Sequence, residues 1–128
     1  MKGTTAYDGA CVCGGLIEAG EGKLLRVFLD DVRMPPEGEW SLVCRSGEEL
    51  IPLILAGVVT FISFDHDLGS GMTGYDVAKE IEKQAEAGTI PPVDYKIHSA
   101  NIVGRNNIKA AMEAARRFWN NSYESIYN

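Results

Sequence analysis

The sequence predicts an α/β domain built on a mostly parallel sheet. Two observations carry this. Short apolar runs closed by turn residues alternate with amphipathic stretches of helical period. The 128 residues, 45% hydrophobic and 23% charged, also have the size and composition of one ordinary globular domain. Leu24–Leu29, broken only by Arg26 and closed by Asp30-Asp31, reads as the first strand, and Trp40–Cys44 as the second. Only about ten residues separate them, so a loop rather than a helix is expected between. Ser46, with Glu49 three positions later, spells a capping box that opens a helix to about Ala56. Pro52 works against that helix by removing a hydrogen bond. Val58–Phe64 is uncharged and rich in β-branched and aromatic residues, which suits a strand covered on both faces. Gly69–Gly74 reads as a loop, and Thr73 with Asp76 caps a helix from Gly74 to about Ala87. Val77, Ala78, Ile81 and Ala85 form its apolar stripe. Gly88 stops it, Pro91-Pro92 redirects the chain, and Val93–His98 is the fourth strand. Asn101–Gly104 reads as a turn before a last helix from about Arg105 to Trp119, with Ile108, Met112, Ala115 and Trp119 on one side. The α/β domain is thus expected over residues 24–119. A Gly-rich, loosely packed arm (1–23, with a short hairpin at Ala10–Cys13 and Leu16–Ile17) precedes it, and a polar tail (120–128) follows.

The formal charge of −6 disfavours general adhesion to duplex nucleic acid or to an anionic membrane. The longest apolar runs, such as Leu53–Val59, are too short to span a bilayer, and Met1–Gly15 has no apolar core of a secretory signal. Three cysteines, Cys11, Cys13 and Cys44, fit a reduced cytoplasmic protein, and no second Cys/His pair completes a metal site with Cys11-x-Cys13. The arm and the Tyr-bearing tail are candidate contact segments for a protein partner.

The chemistry gathers at the strand ends, where ligands bind in open α/β sheets. Asp30-Asp31 ends the first strand, Asp65-His66-Asp67 the third and His98-Ser99-Ala100-Asn101 the fourth. Both histidines and four of the seven aspartates stand at these ends. Crowded carboxylates repel one another unless a cation compensates them. Asp30, Asp31 and Asp65 are therefore the candidate ligands of a hard divalent ion, Mg²⁺ or Mn²⁺. Histidine titrates near neutral pH, so His66 and His98 are the candidates for proton transfer. On a regular strand His66 would point away from Asp65, and both face one site only if the chain turns there. Arg33 is a candidate phosphate clamp. The amides from Asn101 through Gly104 to Arg105, where the last helix begins, are candidates to hold phosphate oxygens. Five of the twelve bases lie between Lys96 and Arg117, against one acid, which marks a local basic surface.

Val27–Asp31, Ile62–Asp65 and Ile97–Ala100 resemble the response-regulator receiver domain. The resemblance implies that Asp65 is the acceptor-like aspartate, Asp30 and Asp31 the metal pair and Ser99 the phosphate-sensing hydroxyl. The chain departs from that pattern: the first helix and the fifth strand with its phosphate-pairing lysine are missing, and two histidines stand at the site. Leu29–Pro36, Asp65–Gly69, Thr73–Asp76 and His98–Gly104 are similar to a narrower group, the cyclic-phosphate processing receiver-like domains, over about Leu25 to Phe118. This resemblance implies a truncated, flavodoxin-like receiver fold with a four-stranded sheet of order 2-1-3-4 and about three helices. It implies a metal-assisted phosphodiesterase acting on cyclic nucleotides or on cyclic phosphate ends of RNA. Two alternatives stay open: a signalling receiver phosphorylated at Asp65, and a non-catalytic module that binds a nucleotide or a protein.

Overall fold

Residues 24–127 are described by a computed structural model. The elements are β1 (Leu25–Leu29), β2 (Leu42–Cys44), α1 (Gly47–Leu55), β3 (Val59–Phe64), α2 (Gly74–Ala87), β4 (Asp94–Ile97) and α3 (Ile102–Tyr127). The four strands form one parallel sheet in the order β2-β1-β3-β4. The connection from β1 to β2 is a loop without a helix, as its length requires. The arm, with Cys11, Cys13 and its hairpin, lies outside the described residues.

The sheet's pleat sorts the side chains. Val27 and Leu29 of β1, Cys44 of β2 and Ile62 and Phe64 of β3 join Leu50 and Ile54 of α1, Val77, Ile81 and Ala85 of α2, and Ile108, Met112 and Ala115 of α3 in one core. All three helices therefore pack on one face. Among the described residues, the second covered face of β3 is not lined by a helix. That face carries Phe61 and Ser63, and it is met by the β1–β2 loop instead. Trp40 of that loop sits edge-on to Phe28 at 5.4 Å and 6.0 Å from Phe61, with the Arg26 guanidinium 4.3 Å from the Phe61 centroid. An indole and an arginine take the place that a helix would fill. The long apolar run could not reveal this, because a bulky loop residue covers a strand as well as a helix does.

Local chemistry sets the helix boundaries. Ser46 Oγ accepts from the Glu49 amide (3.1 Å), while the Glu49 carboxylate reaches one residue further back to the Arg45 amide (2.7 Å). Pro52 is tolerated inside α1 because it lies on the exposed side, where solvent can satisfy the freed carbonyl. Thr73 and Asp76 form the full reciprocal capping box of α2, and Gly88 closes that helix in the left-handed region (φ 74°). α3 begins three residues earlier than expected. Asn101 Oδ1 accepts from the Gly104 amide (2.9 Å), so Asn101 is the cap and Ile102–Gly104 the first turn. The helix also runs on to Tyr127, through most of the segment read as a polar tail. No helix among the described residues is long and apolar enough to cross a membrane.

Gly74 matters for the close fit of α2 to the end of β3. Its amide donates to the His66 carbonyl (2.9 Å), and a Cβ there would stand 2.0 Å from the Asp65 carbonyl oxygen. Gly74→Ala is expected to cost more than about 2 kcal/mol in urea denaturation, because backbone must move. Gly88→Ala meets no neighbour within 4 Å and is expected to cost about 1 kcal/mol, the strain of a left-handed alanine.

Candidate functional site

The backbone ladder builds the site. Leu29 pairs with Phe64 and Phe64 with Ile97, so these three residues share the last rung. One further set of bonds continues past it: Asp65 N to Leu29 O (3.0 Å), His98 N to Phe64 O (2.9 Å) and Asp30 N to Cys44 O (3.1 Å). Asp30, Asp65 and His98 thus occupy the next row, on the face opposite Leu29 and Phe64. Among the described residues, these three offer ligand atoms that all lie within 4.8 Å of one another.

Each member is tightly held. Asp30 is fully buried. Its Oδ1 accepts from the amides of Val32 (3.0 Å) and Arg33 (2.8 Å), and its Oδ2 lies 2.9 Å from His98 Nε2. Burial works to raise the Asp30 pKa, but the amides of Arg33 and Val32, with the His98 ring, together hold it below the ordinary carboxylate range. Asp65, 8% exposed, shifts the other way: burial pushes its pKa up, and the Asp30 charge adds to the effect. His98 stacks flat on Phe28 (4.6 Å, 4°), and its Nδ1 lies 2.8 Å from Ser63 Oγ. Both ring nitrogens of His98 are therefore engaged, which suits a ligand or an orienting group better than a free proton shuttle.

The row after it points to the helix side. Asp31 follows Asp30 across the pleat, and its Oδ2 lies 3.4 Å from where a Cβ on Gly69 would stand. Asp31 is not one of the three residues whose ligand atoms converge. His66 likewise turns away from Asp65. Its Nδ1 lies 2.9 Å from Asp67 Oδ1 and 3.4 Å from Asn101 Nδ2. Its ring rests on Gly104, where a Cβ would come within 2.3 Å of it. Ser99 is buried and its Oγ accepts from the Asn101 amide (3.1 Å).

The α3 amides expected to bind phosphate are largely occupied internally. Asn101 N is held by Ser99, Gly104 N by the Asn101 side chain and Arg105 N by the Asn101 carbonyl (2.8 Å). The Arg105 guanidinium also donates to the Ser99 carbonyl (3.1 Å). Arg33 is the freer cation: its side chain is 57% exposed, with one guanidinium nitrogen 3.7 Å from Asp30 Oδ2. Arg45 binds the carbonyls of Asp30 (3.1 Å) and Arg33 (2.6 Å) and so fixes the loop that carries them. Ser63 and Phe28 were not picked out from the sequence. The signal was present, because each stands two residues before a strand-end aspartate and so shares its face.

Asp65 holds its proton more firmly in the folded state than in the unfolded chain. Stability of the metal-free protein is therefore expected to fall as pH rises through the Asp65 titration, and a divalent cation should restore it. Asp65→Asn is expected to raise metal-free stability by about 1 kcal/mol and to abolish stabilisation by added Mn²⁺. Thermal melts across pH, with and without the ion, check both.

The family model described as cyclic-phosphate processing receiver domain matches residues 25–114. No curated protein and no solved structure shows a significant match to the chain. The matched span contains every strand among the described residues, the Asp30–Asp65–His98 row and the bonded His66 and Asp67, and the chain belongs to the cyclic-phosphate processing receiver domain family.

Proposed function

We propose that this domain opens cyclic phosphate esters by metal-assisted hydrolysis, with the ion held by Asp30, Asp65 and His98. The observation that carries the reading is the convergence of two buried carboxylates and an imidazole within 4.8 Å. The donor set fits a divalent cation. Two carboxylates suit Mg²⁺ or Mn²⁺, and the imidazole nitrogen tilts the balance toward Mn²⁺. A bound ion would neutralise the carboxylates and polarise a phosphoryl oxygen.

The protein's own groups do the rest. Arg33, exposed at the rim, can reach a phosphate oxygen while its backbone stays fixed to Asp30. His66 is the proton-transfer group, because its Nδ1 donates to Asp67 and leaves Nε2 for exchange. A water oxygen forms the new bond to phosphorus, and one ester P–O bond of the ring breaks. The proton lost by water passes to His66, and the released oxygen takes a proton from solvent. Ser63 and Phe28 fix the His98 ring from behind and below. The reading takes the protein to act in the cytoplasm, in keeping with its buried, unpaired Cys44 thiol, whose pKa burial pushes up to about 12.

Turnover of cyclic phosphates is expected with Mn²⁺ or Mg²⁺ and to vanish in EDTA. Asp30→Ala and His98→Ala should lose ion affinity, measured by calorimetry. His66→Ala should keep the ion and lower kcat by roughly 10²–10⁴-fold. Gly104→Ala should reproduce the His66→Ala kinetics, because a Cβ at that position displaces the ring. Full activity in EDTA, or in both histidine variants, overturns the reading. The same assay separates the alternatives: a labile phosphate on Asp65 after acetyl phosphate marks a signalling receiver, and binding without turnover marks a capture module.

A further inference from the structure

Ser63 stands two residues before Asp65 on β3 and pairs with Phe28 in the ladder, so it shares the face of Asp30, Asp65 and His98. It is buried, and its Oγ lies 2.8 Å from His98 Nδ1. A hydroxyl can either donate or accept a hydrogen bond. The group on the other side of the ring has no such choice. The Asp30 carboxyl is held below the ordinary range, so it is ionised and only accepts.

These two bonds settle where the ring proton sits. His98 Nε2 is 2.9 Å from Asp30 Oδ2, so Nε2 carries the proton and donates to the carboxylate. In the neutral ring Nδ1 is then a bare acceptor, and Ser63 donates to it. An ion held by Asp30, Asp65 and His98 needs the reverse arrangement. It takes the Nε2 lone pair only when the proton has left that nitrogen, and the neutral ring then carries its proton on Nδ1. That proton needs an acceptor, because the His98 side chain is only 17% exposed and lies flat on Phe28. Ser63 Oγ is already within reach.

We propose that Ser63 is a positioning residue that lets His98 change tautomer: its hydroxyl donates to Nδ1 while Nε2 is bonded to Asp30, and turns to accept from Nδ1–H when Nε2 gives its lone pair to the ion. The proposal rests on the hydrolytic reading above and concerns how that site is made ready for its ion. The ring keeps one proton throughout: the one on Nε2 leaves to water, and one from water arrives on Nδ1. A group that only accepts would lock the ring in its ligating form, and a group that only donates would lock it out. A methyl would leave the Nδ1 proton buried without a partner, and losing the partner behind a ligating imidazole costs about 10–100-fold in ion affinity. The Phe28 stack complements the hydroxyl. It resists tilting, so the ring answers the ion by moving its proton and not by turning its other edge to the carboxylates.

The test reads the tautomer directly, by nitrogen NMR of the His98 ring in the full chain at a pH where that ring is neutral. Without added ion the proton is expected on Nε2. With Zn²⁺, a diamagnetic ion that takes the same donor types, in excess over the three cysteines, it is expected on Nδ1. Calorimetry with Mn²⁺ is expected to show Ser63→Ala weaker by about 10–100-fold, and Ser63→Thr, which keeps a hydroxyl, within about threefold of the parent. A proton that stays on Nε2 with the ion bound overturns the proposal, as does a folded Ser63→Ala protein with the parent's affinity. A Ser63→Thr protein that is folded and as weak as Ser63→Ala assigns the loss to packing and also overturns it. Where thermal melts show that a variant does not fold, the ring spectra of the parent decide alone. In each of these cases the parent still binds the ion, and the hydrolytic reading is left to its own turnover assay. If the parent binds neither ion, the hydrolytic reading fails and the proposal falls with it.

Discussion

The site depends on one row of backbone hydrogen bonds laid just beyond the last full rung of the sheet. Asp65 N to Leu29 O, His98 N to Phe64 O and Asp30 N to Cys44 O bring residues far apart in the chain to one height. Parallel pairing then fixes which side each faces, since neighbours in a rung share a face and successive residues alternate. A slip of one residue in any strand would send its functional side chain to the helices and put the following residue in its place. The core on the helix side, with Leu29 and Phe64 fully buried in the rung below, makes such a slip costly.

That rigidity holds together groups that do not favour one another. Asp30 and Asp65 are both buried, and each carries a charge that burial penalises. Asp30 is relieved by two amides and by His98; Asp65 has less relief and is left as the group whose ionisation the fold resists. The protein thus stores an electrostatic debt at the place where a cation would be most useful, a common arrangement where stability is exchanged for function. The aromatic support beneath His98 belongs to the same logic. Phe28 and Ser63 leave the ring one orientation, so ordering it costs nothing when a ligand arrives.

Much of this was legible in the sequence. Strand-end clustering located Asp30, Asp65 and His98, because a short apolar run that stops at an acid has few other places to end. The opposite orientation of His66 followed from the two-residue period. The helix starts at Gly47 and Gly74 were written in capping chemistry. The start of α3 was not, since Asn101 was taken as part of a turn, and a capping asparagine looks the same in either role. The internal use of the Asn101, Gly104 and Arg105 amides could not be foreseen, because it depends on how Ser99 and Asn101 fold back on their own backbone. The one-sided helix layer was hidden for a related reason: Trp40, ten residues past Asp30, does a helix's work from a loop.

Trp40 also has an optical consequence. The indole meets Phe28, and Phe28 stacks on His98, so a single ring stands between a fluorophore and the heart of the site. The chain's other tryptophan, Trp119, is bonded to the Ile90 carbonyl (3.2 Å), away from that stack. Emission from the first indole is therefore expected to respond to movement of the imidazole more than emission from the second, a label-free gauge of what happens at the protein's own carboxylates.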